Sequence, residues 1–511
     1  MDPAGNGSLQ MGSRRTLTLL LIWSAVATLL SGCATSGSGY SPLKKHHPDR
    51  LWEDFSVLRG ALNGLHPSLD AYTSKADLDI LFDRCLSMVV DSMTETQFAN
   101  LVVARAVSAI RCGHTSVSLS KAYTKSMMGV RLPSFPLYVK TWGDTMVVTR
   151  NLNAGDSVIK KGTLITSIEG LVPADIRRAV SSHLSVDGFN ESLNEIRLST
   201  SFPYYHRNVF GLRKEYNVGF IDSSGNDGYA LVRCHVPEPD TLSDTKKEIG
   251  EKPVVARPQK PGRRTRYSLT IDPDGKSAVM DIPSFQHSMA MKGFYRRSFR
   301  ELHRRRVGHL VIDIRNNGGG NVDNQARLAR YLKTESFRVA DSAVAVRNRL
   351  GMWKKHMSGP LLNGFLLRFF TKKGQDGLYH LRYWERHLNR PKERHFFGGG
   401  VYVLIGGPTF SAASLFAGGL KGQANVTLVG EETGGGAHSN NGLLIPTLTL
   451  PNTGIRVRLP LFRLVPPNGA PRDGRGVMPD VRVGPTVDAV RKGVDRKMEA
   501  VRSLIAGAGE R

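Results

Sequence analysis

Of the side chains able to attack a carbonyl, Ser411 has the most favourable setting. It sits in Gly406-Gly407-Pro408-Thr409-Phe410-Ser411-Ala412-Ala413, after the apolar run Val401–Ile405 and before an apolar helical pattern that reaches Lys421. Strand, glycine turn and helix start in that order put the hydroxyl at the positive end of a helix dipole. An alkoxide, and the oxyanion it creates, are stabilised there. The first turn of a helix leaves its N–H groups unpaired, so the Ala412 amide is placed to donate to that oxyanion. A plain N-cap serine would occupy the same position, and that is the commoner use of serine there. Ser414, one turn on, is expected on the helix surface. Asn316–Gly320 is a second glycine-rich turn after a strand, His309–Ile314. It lacks the Gly-Lys-Ser/Thr ending of a P-loop and the spacing of a dinucleotide fingerprint, so it reads as a second oxyanion loop, not a nucleotide site. There is no His-Glu-x-x-His and no paired-cysteine motif, so neither a metal nor another cofactor is expected.

The elements that must hold these residues form a multi-domain α/β chain. Residues 51–120 read as an N-terminal helical segment with a capping box at Thr94–Gln97, closing on Cys112-Gly113-His114-Thr115 and a short strand, Ser116–Leu119. Residues 127–236 turn to short strands and look like a PDZ-like β-rich domain. Gly129, Val130, Arg131 and Leu132 would be its carboxylate-binding loop, holding a peptide C-terminus by backbone N–H groups; a small β-rich domain without a ligand fits the segment as well. Residues 237–266 are charged and proline-rich, a linker. Residues 267–490 repeat strand, glycine turn and helix, which implies an α/β core with a mainly parallel sheet. An aromatic and basic stretch, 351–397, interrupts that core as a helical lid or insertion, and 491–511 form a C-terminal helix or tail.

Several of these motifs in this order resemble the C-terminal-processing and tricorn-core serine peptidases: HLVIDIRNNGGGN, GGPTFSAASLFA, NVTLVGEETGGG and GRGVMPDVRV. The resemblance spans roughly Cys112–Asp480 and implies a ClpP/crotonase-like core, a polypeptide substrate, and Ser411 as nucleophile with Gly319 and Ala412 forming the oxyanion hole. The processing peptidases use a serine–lysine dyad, but Glu431–His438, where the lysine belongs, holds none. The tricorn branch takes a histidine from just before the PDZ domain and a carboxylate near the closing segment. The resemblance therefore implies a Ser411, His114 and Asp473 set, with His438 as second choice of base and Glu432 as rival acid. A non-catalytic binding protein on the same fold is the alternative, since the interphotoreceptor retinoid-binding proteins share it.

The chain begins with an address. Arg14 and Arg15 precede the apolar run Thr16–Leu30, which is short for a membrane span but suits a signal peptide. It ends in Leu30-Ser31-Gly32-Cys33, which resembles the bacterial lipobox. That implies removal of residues 1–33 up to an acylated Cys33, a tether over 34–50, and a lipoprotein of the bacterial cell envelope. Cys85, Cys112 and Cys234 allow at most one internal disulfide. With 70 basic and 44 acidic residues the formal charge is +26, but no aromatic-interleaved basic stripe or zinc-finger spacing accompanies it. An anionic membrane surface, or a merely solvated basic surface, fits better than nucleic acid.

Overall fold

The computed structural model describes residues 40–237, 267–286 and 288–508. The signal segment, Cys33, the start of the tether and all of the linker but residue 237 lie outside the described residues.

Helix α1 (Pro48–Leu65) starts with proline at its first position and a His47 side chain that accepts from the Asp49 N–H. Its residues Leu51, Phe55, Leu58 and Leu62 recur at helical spacing and are all buried. After α2 (Lys75–Ser87), Thr94 and Gln97 form both halves of the expected capping box. The helix that follows is not regular: Phe98–Val103 is a π-helical turn leading into Ala104–Ser108. It delivers the chain to the Cys112–Thr115 turn, where the Thr115 N–H donates to the Cys112 carbonyl at 3.0 Å, and to strand β1 (Ser116–Ser118).

A five-stranded antiparallel sheet comes next, with β2 (Leu137–Trp142), β3 (Thr145–Asn151) and β4 (Leu164–Ile168) in succession. Two helices intervene, α3 (Pro173–Ser181) and the long α4 (Ser192–Phe210), before β5 (Glu215–Ile221) and β6 (Asp227–Arg233) complete it. Gly129–Leu132 is an exposed loop between the helix Lys121–Ser126 and β2.

The core sheet begins with β7 (Ser268–Ile271), antiparallel to β8 (Ser277–Asp281). Then α5 (Ser288–Arg304), β9 (His309–Asp313), α6 (Val322–Ala329), β10 (Gly400–Ile405), α7 (Ala412–Leu420) and β11 (Val426–Gly430) follow, each strand parallel to its neighbour. The short strand Val481–Arg482 extends the sheet beyond β11. Both faces of these strands are covered, which is why they read as continuous apolar runs. Leu310 and Ile312 pack with Phe299, Ala412 and Phe416 on one side, and Val311, Leu404 and Val429 pack with Val501 of the C-terminal helix Arg496–Ala508 on the other. Strands β12 (Thr447–Thr449) and β13 (Arg456–Arg458) then reach back to the N-terminal segment, and β13 pairs with β1 through Val457 and Val117. In this way His114 is carried to the core although it lies almost 300 residues from Ser411.

Candidate active site

β10 ends at Ile405 and the chain turns through Gly406–Phe410 into α7. Ser411 caps that helix with φ 56° and ψ −122°, a left-handed backbone for a residue with a Cβ. Such a conformation costs about 1–3 kcal/mol and persists where the surroundings fix it. Here the Phe410 N–H donates to the Asn317 carbonyl at 3.0 Å, and the Thr409 hydroxyl donates to the Ile314 carbonyl at 3.0 Å. The two glycine-rich turns are thereby locked to each other. The Ser411 side chain makes no capping bond, so its role is not that of a plain N-cap. Ser414, expected on the helix surface, is instead buried and donates to the Thr409 carbonyl at 3.0 Å.

His114 is 5% exposed, and its ring lies 4.6 Å from that of Phe410, centroid to centroid. Neither ring nitrogen has a hydrogen-bond partner. A buried polar group left in that state is costly and marks a site that does something else. Its Nε2 and the Ser411 Oγ approach one point: a Cβ on Gly442 would lie 2.8 Å from the first and 2.6 Å from the second. Its Nδ1 faces Asp187, 4.0 Å from Oδ1. Asp187 is buried and accepts from the Gly113 N–H at 2.7 Å and the Gly436 N–H at 3.1 Å. This carboxylate thus ties the histidine turn to the loop after β11. Burial lowers the His114 pKa below its ordinary 6.5, with the Asp187 charge acting upward and Arg458 downward.

The other expected residues fall elsewhere. Asp473 is exposed and accepts from the Arg475 N–H at 2.9 Å; the carboxylate beside His114 is Asp187 instead. Asp473 was placed by its order in the chain, and its Asp-Gly turn leaves it in solvent. Glu432 is buried but held by Arg475 at 2.6 Å and by the Gly476 N–H at 2.7 Å. His438 has both nitrogens engaged, by the Ala470 carbonyl at 2.9 Å and by Arg472 at 3.0 Å. Lys421 pairs with Asp480 at 2.6 Å. Gly319 does lie against Ser411, with φ 99°, and a Cβ there would come 2.7 Å from the Ser411 Cβ and 3.0 Å from the Ala412 nitrogen. Its N–H, however, donates to Asn317 Oδ1 at 2.8 Å. The cysteines Cys85, Cys112 and Cys234 are free thiols, and burial pushes Cys112 up to about 11. Donor atoms of Cys112, His114 and Asp187 lie within 4.8 Å of one another, which makes this the one group of the described residues close enough to share an ion.

Asp187 and Gly442 are the site residues that sequence reasoning missed. Asp187-Gly188 looks like any Asp-Gly turn and comes from the β-rich part of the chain, with no motif around it. Gly442 follows Asn440-Asn441, a pattern equally typical of a loop.

A serine on a strained strand-to-helix turn, a buried histidine converging on the same space and a helix amide beside it are the parts a serine hydrolase needs. Residues 276–483 match the family model "Peptidase family S41": the chain carries a domain of that family and is a serine-type peptidase. The structure of mature CPAF complexed with lactacystin is similar at a TM-score of 0.60, with 15% identity over 90% of this chain and 98% of that one. A serine-to-alanine mutant of CPAF gives 0.59 and 15% over 90% and 97%. At that identity the likeness is one of fold. No curated protein matches the chain.

Proposed function

We propose that the chain cleaves exported polypeptides through an acyl-enzyme on Ser411, with His114 as base. In this reading His114 Nε2 takes the Ser411 proton as Oγ attacks the scissile carbonyl, and returns it to the leaving amine. Asp187 holds the Nδ1–H tautomer and stabilises the imidazolium across 4.0 Å, replacing Asp473 in that role. The Ala412 N–H receives the oxyanion. The observation that carries the reading is the convergence of Ser411 Oγ and His114 Nε2 on the space in front of Gly442. A fluorophosphonate probe should label the wild type at Ser411. Ser411→Ala should abolish labelling, and Gly442→Ala should abolish it with the fold intact, because its Cβ would fill that space. Full labelling of Gly442→Ala would sink the proposed geometry.

Substrate is proposed to lie along β1. That strand starts two residues after His114 and is the edge of its three-stranded sheet. It borders a cavity of about 700 Å³ whose lining includes Arg197, Arg207 and Arg456 and no acidic side chain. An extended peptide adding to such an edge gains main-chain hydrogen bonds, and the arginines favour acidic side chains on it. The PDZ-like loop Gly129–Leu132 remains a proposed contact for chain ends.

Envelope location is proposed from Leu30–Cys33; no helix of the described residues is long and apolar enough to cross a membrane. Cys33→Ser should lose incorporation of labelled fatty acid in cells. Wild-type incorporation in that variant would remove Cys33 as the acyl site.

A further inference from the structure

The insertion within the core carries a surface that the catalytic reading does not use. Helix Pro360–Phe370 turns Asn363 and Leu367 inward, and Leu367 joins the core of the N-terminal helices. Its outer side is not polar. Leu361 is 77% exposed, Leu362 63%, Phe365 50%, Phe369 71% and Phe370 54%. The rings of Phe365 and Phe369 stand 4.9 Å apart, and those of Phe365 and Phe370 5.9 Å, so the three form one aromatic knob in solvent. A helix whose outward face is more apolar than its inward face needs a covering partner.

The knob is flanked by cations. Residues 351–375 include Lys354, Lys355, Arg368, Lys372 and Lys373 and not a single Asp or Glu. The four lysines and Arg368 are exposed, as is Met352 at 78%. Aromatic and leucine side chains ringed by cations, on a helix too short to span, match the boundary of an anionic bilayer: the rings enter the acyl region and the cations meet the headgroups. The nearest acidic side chain along the chain, Asp376, is paired with His380. The insertion is also fixed to the rest of the molecule at a telling place. The Trp353 ring occupies the notch made by Gly60 and Gly64 on α1, the first long helix after the tether; a Cβ at Gly64 would come 2.5 Å from its Cζ3.

We propose that helix Pro360–Phe370 is an interfacial membrane anchor for anionic lipid, separate from acylation at Cys33 and standing without it. One acyl attachment and one basic, apolar patch together give the two-signal anchoring that a single weak signal does not.

The test is local, so that other membrane contacts of the full chain do not obscure it. Phe369→Trp places a fluorophore in the knob, and vesicles with brominated acyl chains quench what enters them. With vesicles of phosphatidylglycerol and phosphatidylcholine in equal parts, the variant should show quenching beyond that of the wild-type tryptophans. The excess should shrink with phosphatidylcholine alone and disappear when Phe365→Ser, or Lys372→Glu with Lys373→Glu, is added. No excess quenching with the anionic vesicles would overturn the proposal. So would a concentration-dependent dimer in sedimentation that Phe365→Ser dissolves, because a second copy would then own the face. Neither result bears on Ser411, which the fluorophosphonate probe reads, nor on Cys33, which labelled fatty acid reads.

Discussion

At the level of single residues, the proposed role of His114 as the base for Ser411 turns on its environment. A base works while neutral, and a histidine is neutral above its pKa. Burial holds His114 below 6.5, so the acid limb of kcat/KM should lie below that value. Asp187→Asn removes the charge that acts upward, so the limb should move further toward acid while turnover falls. Arg458→Gln removes a charge that acts downward and should move it the other way. A limb that stays put in both variants would mean that another group titrates. Ser411→Ala and His114→Ala should each lose on the order of 10⁴-fold or more, and the double variant little beyond that, because members of one catalytic unit are not additive. His438→Ala should leave turnover close to wild type, since its nitrogens serve Ala470 and Arg472. The setting of Ser411 was legible in the sequence because a strand, a glycine turn and a helix start announce it locally. The carboxylate that faces His114 was not: Asp187 reaches it through a contact made only when a loop before α4 folds against the core, and no spacing in the chain encodes that.

At the level of elements, what could be read was whatever repeats within a few residues. The apolar runs that became β9, β10 and β11 lie between glycine turns, so both their type and their parallel pairing follow from pattern. Helix α4 went unread, since Pro203 and the kink at Ser201 interrupt its periodicity. The open edge of β1 was equally hidden, because an edge depends on which strand fails to arrive. Its consequence can be measured with N-methylated acidic peptides. A chain added to an edge strand points alternate N–H groups at it, so methylation should weaken cleavage at every second position and spare those between. Arg207→Glu should erase the preference for acidic over basic peptides, because that side chain lines the cavity. Uniform sensitivity along the peptide would argue against strand addition.

At the level of the whole molecule, stability should fall in acid because the fold stores neutral histidines. Burial takes His66 down to about 3 and His206, helped by Arg213, to about 4. The unfolded chain protonates such groups near 6.5, whereas the folded chain resists until its lower values. Between those limits the unfolded state binds more protons, so stability is full above about 6.5 and declines as pH falls toward 4 and then 3. Each histidine contributes a slope of at most about 1.4 kcal/mol per pH unit in that window. His206 isolates the effect. Its ring stacks on Phe135 at 4.5 Å and touches Phe202, Phe210 and Tyr216, while its Nδ1 has no partner. Phenylalanine keeps that packing and cannot titrate. Urea unfolding of His206→Phe at pH 7 and pH 5 should therefore show a smaller loss of stability than the wild type over the same interval. Equal losses in the two proteins would mean that His206 is already charged in the folded state, or that its burial does not persist in solution.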